Sequence, residues 1–355
     1  MVKKKIKVGI IGAAGYGGVG LIERLINHPS VTMGALIEKR DINKPISVIY
    51  PHLKGFCDLP VLDPGDPNCP DDFDIVFYAT PDGVGQKGAR TWLRKGVKVI
   101  DYSGDFRFND KDSYASYALR IGRTEEHADP DILPSSTYGL PELHRAEIAE
   151  SDLVGNPGCF AVSCILGLAP ALKSGLIDTH DIVVDAKTGA SGAGKTPSPT
   201  FHFPARYEAM NAYKVTGHQH VCEIERELSL LGGEEIKITF TPHVVPLSRG
   251  IITTIYANLL ERANMESLRD AYQSMYTKEP FIRVFSHGEI LSTTDVRGSN
   301  FCNISLCIDQ RTVKLIVISV IDNLVKGQAG NALQNMNIMM GIEETTGLMY
   351  PGSFP

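Results

Sequence analysis

The chain has no apolar run long enough to cross a membrane; the best, LIVISVI at 315–321, is the length of a strand. It lacks the long apolar core of a signal peptide, because IKVGIIGAAGYGG breaks into glycines too soon. Its seven cysteines are an odd number and include no Cys-x-x-Cys pair, which argues against a disulfide framework and a zinc site. A reducing cytoplasm is the expected home. There is no excess of positive charge: the formal net charge is −6, so nucleic acid is not expected as a partner. Lys3, Lys4 and Lys5 read as a solvated chain end. No internal repeat and no low-complexity linker is present. What remains is an ordinary globular composition, 43% hydrophobic and 21% charged over 355 residues, long enough for two domains.

The first part alternates strand and helix. KVGII (7–11) is a strand, VGLIERLINH (19–28) a helix and VTMGALIE (31–38) a second strand, with more strands at DIVFYAT (74–80) and VKVIDYS (97–103). This pattern predicts an α/β fold with a doubly wound parallel sheet. After about residue 155 the pattern becomes β-rich, as in a mixed or antiparallel sheet: DIVVDAKT (181–188), EIKITFTPHVVP (235–246), GIITTIYANLL (250–260), SNFCNISLCID (299–309) and TVKLIVISVID (312–322). A last helix is expected over 329–342.

Gly12, Gly15 and Gly18 lie between the first strand and the first helix. Glycines there permit a tight turn and let backbone approach a pyrophosphate that the helix N-terminus attracts. Gly12, Ala14, Gly15, Tyr16, Gly17 and Gly18 are therefore dinucleotide-binding candidates. The second strand ends at Glu38-Lys39-Arg40. An acid there suits the ribose hydroxyl of NAD, whereas Lys39 and Arg40 suit the 2′-phosphate of NADP. Two adjacent cations favour NADP(H).

In NPGCFAVSCILGLAPAL (156–172), Cys159 opens a helix expected to run to about Ala169. A thiol at a helix N-terminus meets unpaired N–H groups and the positive end of the dipole, which favour thiolate. The other six cysteines lack this setting and read as packing. TGHQHVCEIERELSLL (216–231) places His218, His220 and Glu223 at the entrance of a second helix. Imidazoles are the natural proton carriers near neutral pH, and Glu223 shares a helical face with His220. Two histidines one residue apart do not face together on a helix, and no Cys or Asp supports them, so no metal is expected. GASGAGKT (189–196) matches a phosphate-loop pattern, but Pro197, Pro199 and Pro204 deny it the helix that an ATP site needs. A dinucleotide, a nucleophilic cysteine and a histidine together suggest thioester formation followed by hydride transfer.

GAAGYGG, SGDFR (103–107), YGLPEL (138–143), NPGCF, TGASGAGK, YKVTGHQHVCEIE (213–225), HVVPLSRGI (243–251) and KGQAGNALQNMN (326–337) occur in this order. The chain thereby resembles the N-acetyl-gamma-glutamyl-phosphate reductases over nearly its whole length. The resemblance implies a Rossmann domain, 1–157 with the returning helix of 330–355, and a catalytic and oligomerisation domain, 158–329, like that of glyceraldehyde-3-phosphate dehydrogenase. It implies Cys159 as nucleophile, and His218 as acid/base with His220 and Glu223 beside it. It places Ser191, Gly192, Ala193, Gly194 and Asn331 near the cofactor, and Arg107, Asn156, Lys195 and Arg249 near an acyl phosphate substrate. A cytoplasmic dimer or tetramer is implied. Gln219 stands where many relatives have arginine, and 197–217 is reminiscent of relatives that reduce carrier-borne aminoadipyl phosphate. That substrate stays open at this level, as do aspartate-semialdehyde dehydrogenation, a cysteine hydrolase and a catalytically silent NADP-binding regulator.

Overall fold

The apolar run IKVGII becomes β1 (Ile6–Ile11), near the middle of a seven-stranded sheet. With β2 (Val31–Ile37), β3 (Val61–Leu62), β4 (Ile75–Tyr78), β5 (Lys98–Asp101), β6 (Ser136–Tyr138) and β7 (Leu153–Gly155) it forms the order β3-β2-β1-β4-β5-β7-β6, every pair parallel. All four residues of β4 are buried, as expected for a parallel strand covered on both faces. The order reverses between β1 and β4, and the crevice at the carboxyl ends there is where such sheets take ligands. This sheet belongs to one compact unit, Met1–Ala118, Arg123–Pro157 and Gln328–Met349. The computed structural model describes residues 5–67, 69–123, 126–285 and 289–354; Lys3 and Lys4 lie outside them. The helix Gly330–Met339 returns to this unit, where Asn331 and Asn335 donate to the Gly139 carbonyl.

The second unit, Leu119–Gly122, Gly158–Gly327 and Tyr350–Pro355, is built on a mixed sheet. Its strands are β8 (Ile182–Thr188), β9 (Asn211–Ala212), β10 (Ile238–Val244), β11 (Ile251–Asn258), β12 (Ile282–Phe285), β13 (Cys302–Asp309) and β14 (Lys314–Ile321), in the order β12-β13-β14-β11-β8-β10-β9. β8 pairs parallel with β10 and antiparallel with β11. Burial alternates along β8 and β11, so one face is packed and the other, with Val183, Tyr256, Ile316 and Ile318, is half-exposed. The final residues belong here rather than with the returning helix, because Ser353 N–H donates to the Arg297 carbonyl at 2.8 Å.

The helix Cys159–Lys173 is buried from Phe160 to Leu172. Such all-round burial suits its nearly continuous apolar sequence. It runs four residues past the expected end at Ala169. Pro170 removes the N–H that would bond the Leu166 carbonyl, and the Tyr276 hydroxyl supplies the donor instead, at 2.6 Å. The helix over the histidine motif is His220–Gly232, so His218 precedes it. No helix among the described residues is long and apolar enough to cross a membrane.

Candidate active site

In the first unit the glycine turn divides into structural and open positions. Gly12 has φ +84°, and a Cβ there would lie 2.5 Å from the Ala79 carbonyl oxygen. A Cβ at Gly18 would collide with the Gly12 carbonyl, and one at Gly17 would press on Gln328 and Tyr102. Gly15 differs: its φ is −80°, and a Cβ would meet nothing nearer than 3.4 Å. Nothing in the chain demands glycine there. It is the N-cap of Tyr16–Leu25 and makes no side-chain cap, so close approach of an outside group to the helix amides is what it permits. The turn is braced from behind by Tyr50, whose hydroxyl donates to the Ala14 carbonyl at 2.9 Å. At the end of β4, Thr80 Oγ1 is buried with no protein partner among the described residues. Lys39 and Arg40 are exposed just after β2. A cradle free of side chain, an orphaned hydroxyl and two exposed cations fit a dinucleotide.

In the second unit, Cys159 is the first helical residue after the N-cap Gly158, and its side chain is half-buried. Gly158 N–H donates to Glu223 Oε2 at 3.0 Å. A Cβ on Gly158 would collide with His220 Nε2 and lie 2.6 Å from Glu223 Oε1. The imidazole and carboxylate therefore press directly on the residue before the thiol. His220 Nε2 and Glu223 Oε1 are 3.9 Å apart, at the edge of ion-pair range. On the other side Gly327, in the π-helical segment Val325–Ala329, would place a Cβ 2.7 Å from Cys159 Cβ.

His218 sits differently. Its ring is enclosed by Phe160, Tyr213 and Phe240, and its Nδ1 accepts the His220 N–H at 3.2 Å. Burial, with the cations Lys214 and Arg120 adding to it, pushes its pKa down to about 3, so it is neutral. Tyr213 was not singled out by sequence; burial, and then proximity to Cys159, push its phenol well up.

The loop after β8 is a short 3-10 turn, Ala190–Ala193, followed by Gly194 at φ +79°. Beyond it come a three-residue 3-10 turn and the four-residue helix Phe203–Arg206, so no helix begins at Lys195-Thr196. Ser191 is half-buried; Gly192, Ala193, Gly194 and Lys195 are exposed. Arg249 is half-exposed, with Nη1 3.6 Å from Asp322 Oδ2.

Three expected ligand-binding residues also make hydrogen bonds within the first unit. Arg107 is buried, with Nε donating to the Asn156 carbonyl and Nη2 to the Tyr102 carbonyl. Asn156 is wholly buried; its Nδ2 donates to the Gln328 carbonyl, and its Oδ1 accepts from Asn331 at 2.9 Å. Asn331 Nδ2 also reaches the Gly139 carbonyl at 2.6 Å. These side chains brace the Asn156 end of the first unit's chain. Sequence motifs mark that residues matter, not whether they face a ligand or the chain itself. Asp322 and Asn323, wholly or almost wholly buried after β14, were missed. Two short polar side chains ending a buried strand were the available signal. Among the described residues no group of three or more His, Cys, Asp or Glu is arranged for a metal.

The semialdehyde dehydrogenase NAD-binding domain model matches residues 7–151, and the semialdehyde dehydrogenase dimerisation domain model matches 159–323. The N-acetyl-gamma-glutamyl-phosphate reductase of Citrifermentans bemidjiense is 46% identical over 352 residues, covering 99% of this chain and all of that one. The enzyme of the same name from Bacillus cereus strain B4264 is 43% identical, covering 97% and 99%. Among solved structures, aspartate semialdehyde dehydrogenase II of Vibrio cholerae has a TM-score of 0.71 at 16% identity, covering 95% and 99%. The Candida albicans aspartate semialdehyde dehydrogenase with NADP has 0.70 at 14%, covering 94% and 98%. At that identity the structures speak for the fold alone, while the curated relatives span both units at once. The chain belongs to the N-acetyl-gamma-glutamyl-phosphate reductase family, assembled from a nicotinamide-dinucleotide-binding domain and a semialdehyde dehydrogenase dimerisation domain.

Proposed function

We propose that the chain is a cytoplasmic enzyme of arginine biosynthesis that reduces N-acetyl-gamma-glutamyl phosphate to N-acetylglutamate 5-semialdehyde and phosphate. The observation that carries this reading is the turn at Cys159: a thiol on the first residue of a buried helix, with His220 and Glu223 against the glycine before it. Helix amides and dipole favour the thiolate. The Cys159 sulfur forms a bond to the acyl carbon, the bond to phosphate breaks, and phosphate leaves with its electron pair. A nicotinamide, when bound, would supply the hydride. Cys159 is then released as thiolate when the carbon–sulfur bond breaks. The geometry favours His220 over His218 as acid/base, since His220 Nε2 faces this turn while His218 is caged and neutral. Glu223 fixes the turn through the Gly158 amide and lies beside His220.

Lys39 and Arg40 favour NADP over NAD, because both are exposed beside the glycine turn and suit a 2′-phosphate. Lys195 and Arg249 serve the anionic groups of the substrate. A dimer or tetramer is supported by the half-exposed apolar face of the mixed sheet and the dimerisation domain model.

The test is the reverse reaction: N-acetylglutamate semialdehyde, phosphate, and either NADP or NAD, followed at the reduced-nicotinamide band. Phosphate-dependent reduction, faster with NADP and absent in Cys159→Ser, is expected. Activity only with an aldehyde one carbon longer or shorter would move the substrate. Silence with all three would overturn the reductase reading.

A further inference from the structure

Two loops of the second unit carry its exposed or half-exposed substrate-binding candidates: 189–195, with Lys195, and 247–250, with Arg249. They are tied by one side chain. Asn323 is 2% exposed; its Nδ2 donates to Ser191 Oγ at 3.0 Å and its Oδ1 accepts from Gly250 N–H at 2.7 Å. Backbone bonds lie alongside, from Gly189 N–H to the Gly250 carbonyl at 2.9 Å and from Ser191 N–H to the Ser248 carbonyl at 3.0 Å. A carboxamide suits this place because it donates and accepts at once without charge.

The preceding residue extends the tie to the nucleophile. The wholly buried Asp322 carboxylate accepts from the N–H groups of Gly298, Leu324 and Val325, and Arg249 Nη1 lies 3.6 Å away. The Asp322 carbonyl accepts from Gly327 N–H at 3.0 Å, and Gly327 is the residue packed on Cys159. One dipeptide at the end of β14 thus sets both loops and the segment behind the thiol.

We infer that Asn323 is a positioning residue for the phosphate group: it fixes the spacing of the Ser191 and Arg249 loops, and Asp322 refers that spacing to Cys159. This rests on the acyl-phosphate reading above, in which Lys195 and Arg249 serve the anionic groups of the substrate; the phosphate is taken here as one of them. Asn323 touches neither substrate nor cofactor in this role.

Two readouts test it. One is the phosphate KM of the reverse reaction. The other is protection of Cys159 from iodoacetamide by inorganic phosphate, which needs no turnover. Asn323→Ala is expected to raise the phosphate KM and the half-protecting phosphate concentration about tenfold, with kcat within about threefold of the parent. Alkylation without phosphate stays at the parent rate. Ser191→Ala cuts one end of the same tie and shifts both readouts the same way by less. The double variant is no worse than Asn323→Ala, because the tie is already cut.

Unchanged phosphate dependence in Asn323→Ala overturns the inference. So do equal losses in KM and kcat with altered unprotected alkylation, or effects of the two variants that multiply. If Asn323→Ala does not fold, Ser191→Ala decides alone, and an unshifted phosphate KM overturns the inference. A parent enzyme silent in the reverse reaction sinks the reductase reading but leaves the protection measurement intact. A parent thiol that phosphate does not protect sinks the inference itself.

Discussion

At the scale of single residues, two histidines two positions apart have opposite surroundings. His218 is enclosed by aromatic rings and accepts a backbone N–H; His220 turns its Nε2 to the residue before the thiol. His220→Asn is therefore expected to lower kcat about a hundredfold or more and to remove one limb of the pH–rate profile. His218→Phe should keep that limb. Loss of the limb in the His218 variant, with its retention in the His220 variant, would reverse the assignment. The resemblance put His218 first, but the motif itself could not rank the two imidazoles, since HQH spacing is the same whichever ring faces the thiol. Asn156, Asn331 and Arg107 show a similar limit. Each was legible as a residue that matters, but its hydrogen bonds to the chain, such as those of Arg107 Nε, Asn156 Nδ2 and Asn331 Nδ2, are revealed only by the fold around it.

At the scale of elements, the Cys159 helix was legible because an apolar run opening on a cysteine after Asn-Pro-Gly has few alternatives. Its length was not, because Pro170 reads as a stop until the Tyr276 hydroxyl, distant in sequence, replaces the missing donor. The glycine turn was legible as a tight strand-to-helix turn. Its division of labour was not: Gly12 and Gly18 answer to close chain contacts, while Gly15 answers to none. The start of the Cys159 helix gives the sharpest element-scale prediction. Gly158→Ala puts a methyl group into His220 Nε2 and close to Glu223. The side chains or the turn must shift, and displacements of this size cost about a hundredfold in rate. Steady-state kcat and the iodoacetamide rate should both fall, with the thermal midpoint nearly unchanged. A fully active Gly158→Ala enzyme would mean that His220 and Glu223 can withdraw without consequence, against the role proposed for them.

At the scale of the whole molecule, buried histidines make stability fall in acid. Burial holds His28, His127 and His218 below their ordinary pKa, His218 at about 3. The unfolded chain binds their protons below about pH 6.5 while the folded chain does not, so stability present above that pH is lost as pH falls. For His218 the loss between pH 7 and 5 is about 2 kcal/mol. Asp101 and Asp105 act the other way: burial raises both, with Asp105 also acting on Asp101, and the stability they bring as protonated acids grows as pH falls. Replacing His218 isolates its share. Urea unfolding of His218→Phe should lose about 2 kcal/mol less than the parent between pH 7 and 5; an identical pH slope would show that His218 is charged in the folded state. The division of the chain matters in another way during synthesis. The first unit takes in residues up to Pro157 and then Gln328–Met349, with the whole Gly158–Gly327 stretch made in between. On the ribosome its seven strands emerge before the second unit, but the helix carrying Asn331 and Asn335 to the Gly139 carbonyl emerges after it. The nucleotide-binding half therefore waits for that helix until the whole Gly158–Gly327 stretch has been made. By then every strand of the half bearing the thiol has already been made.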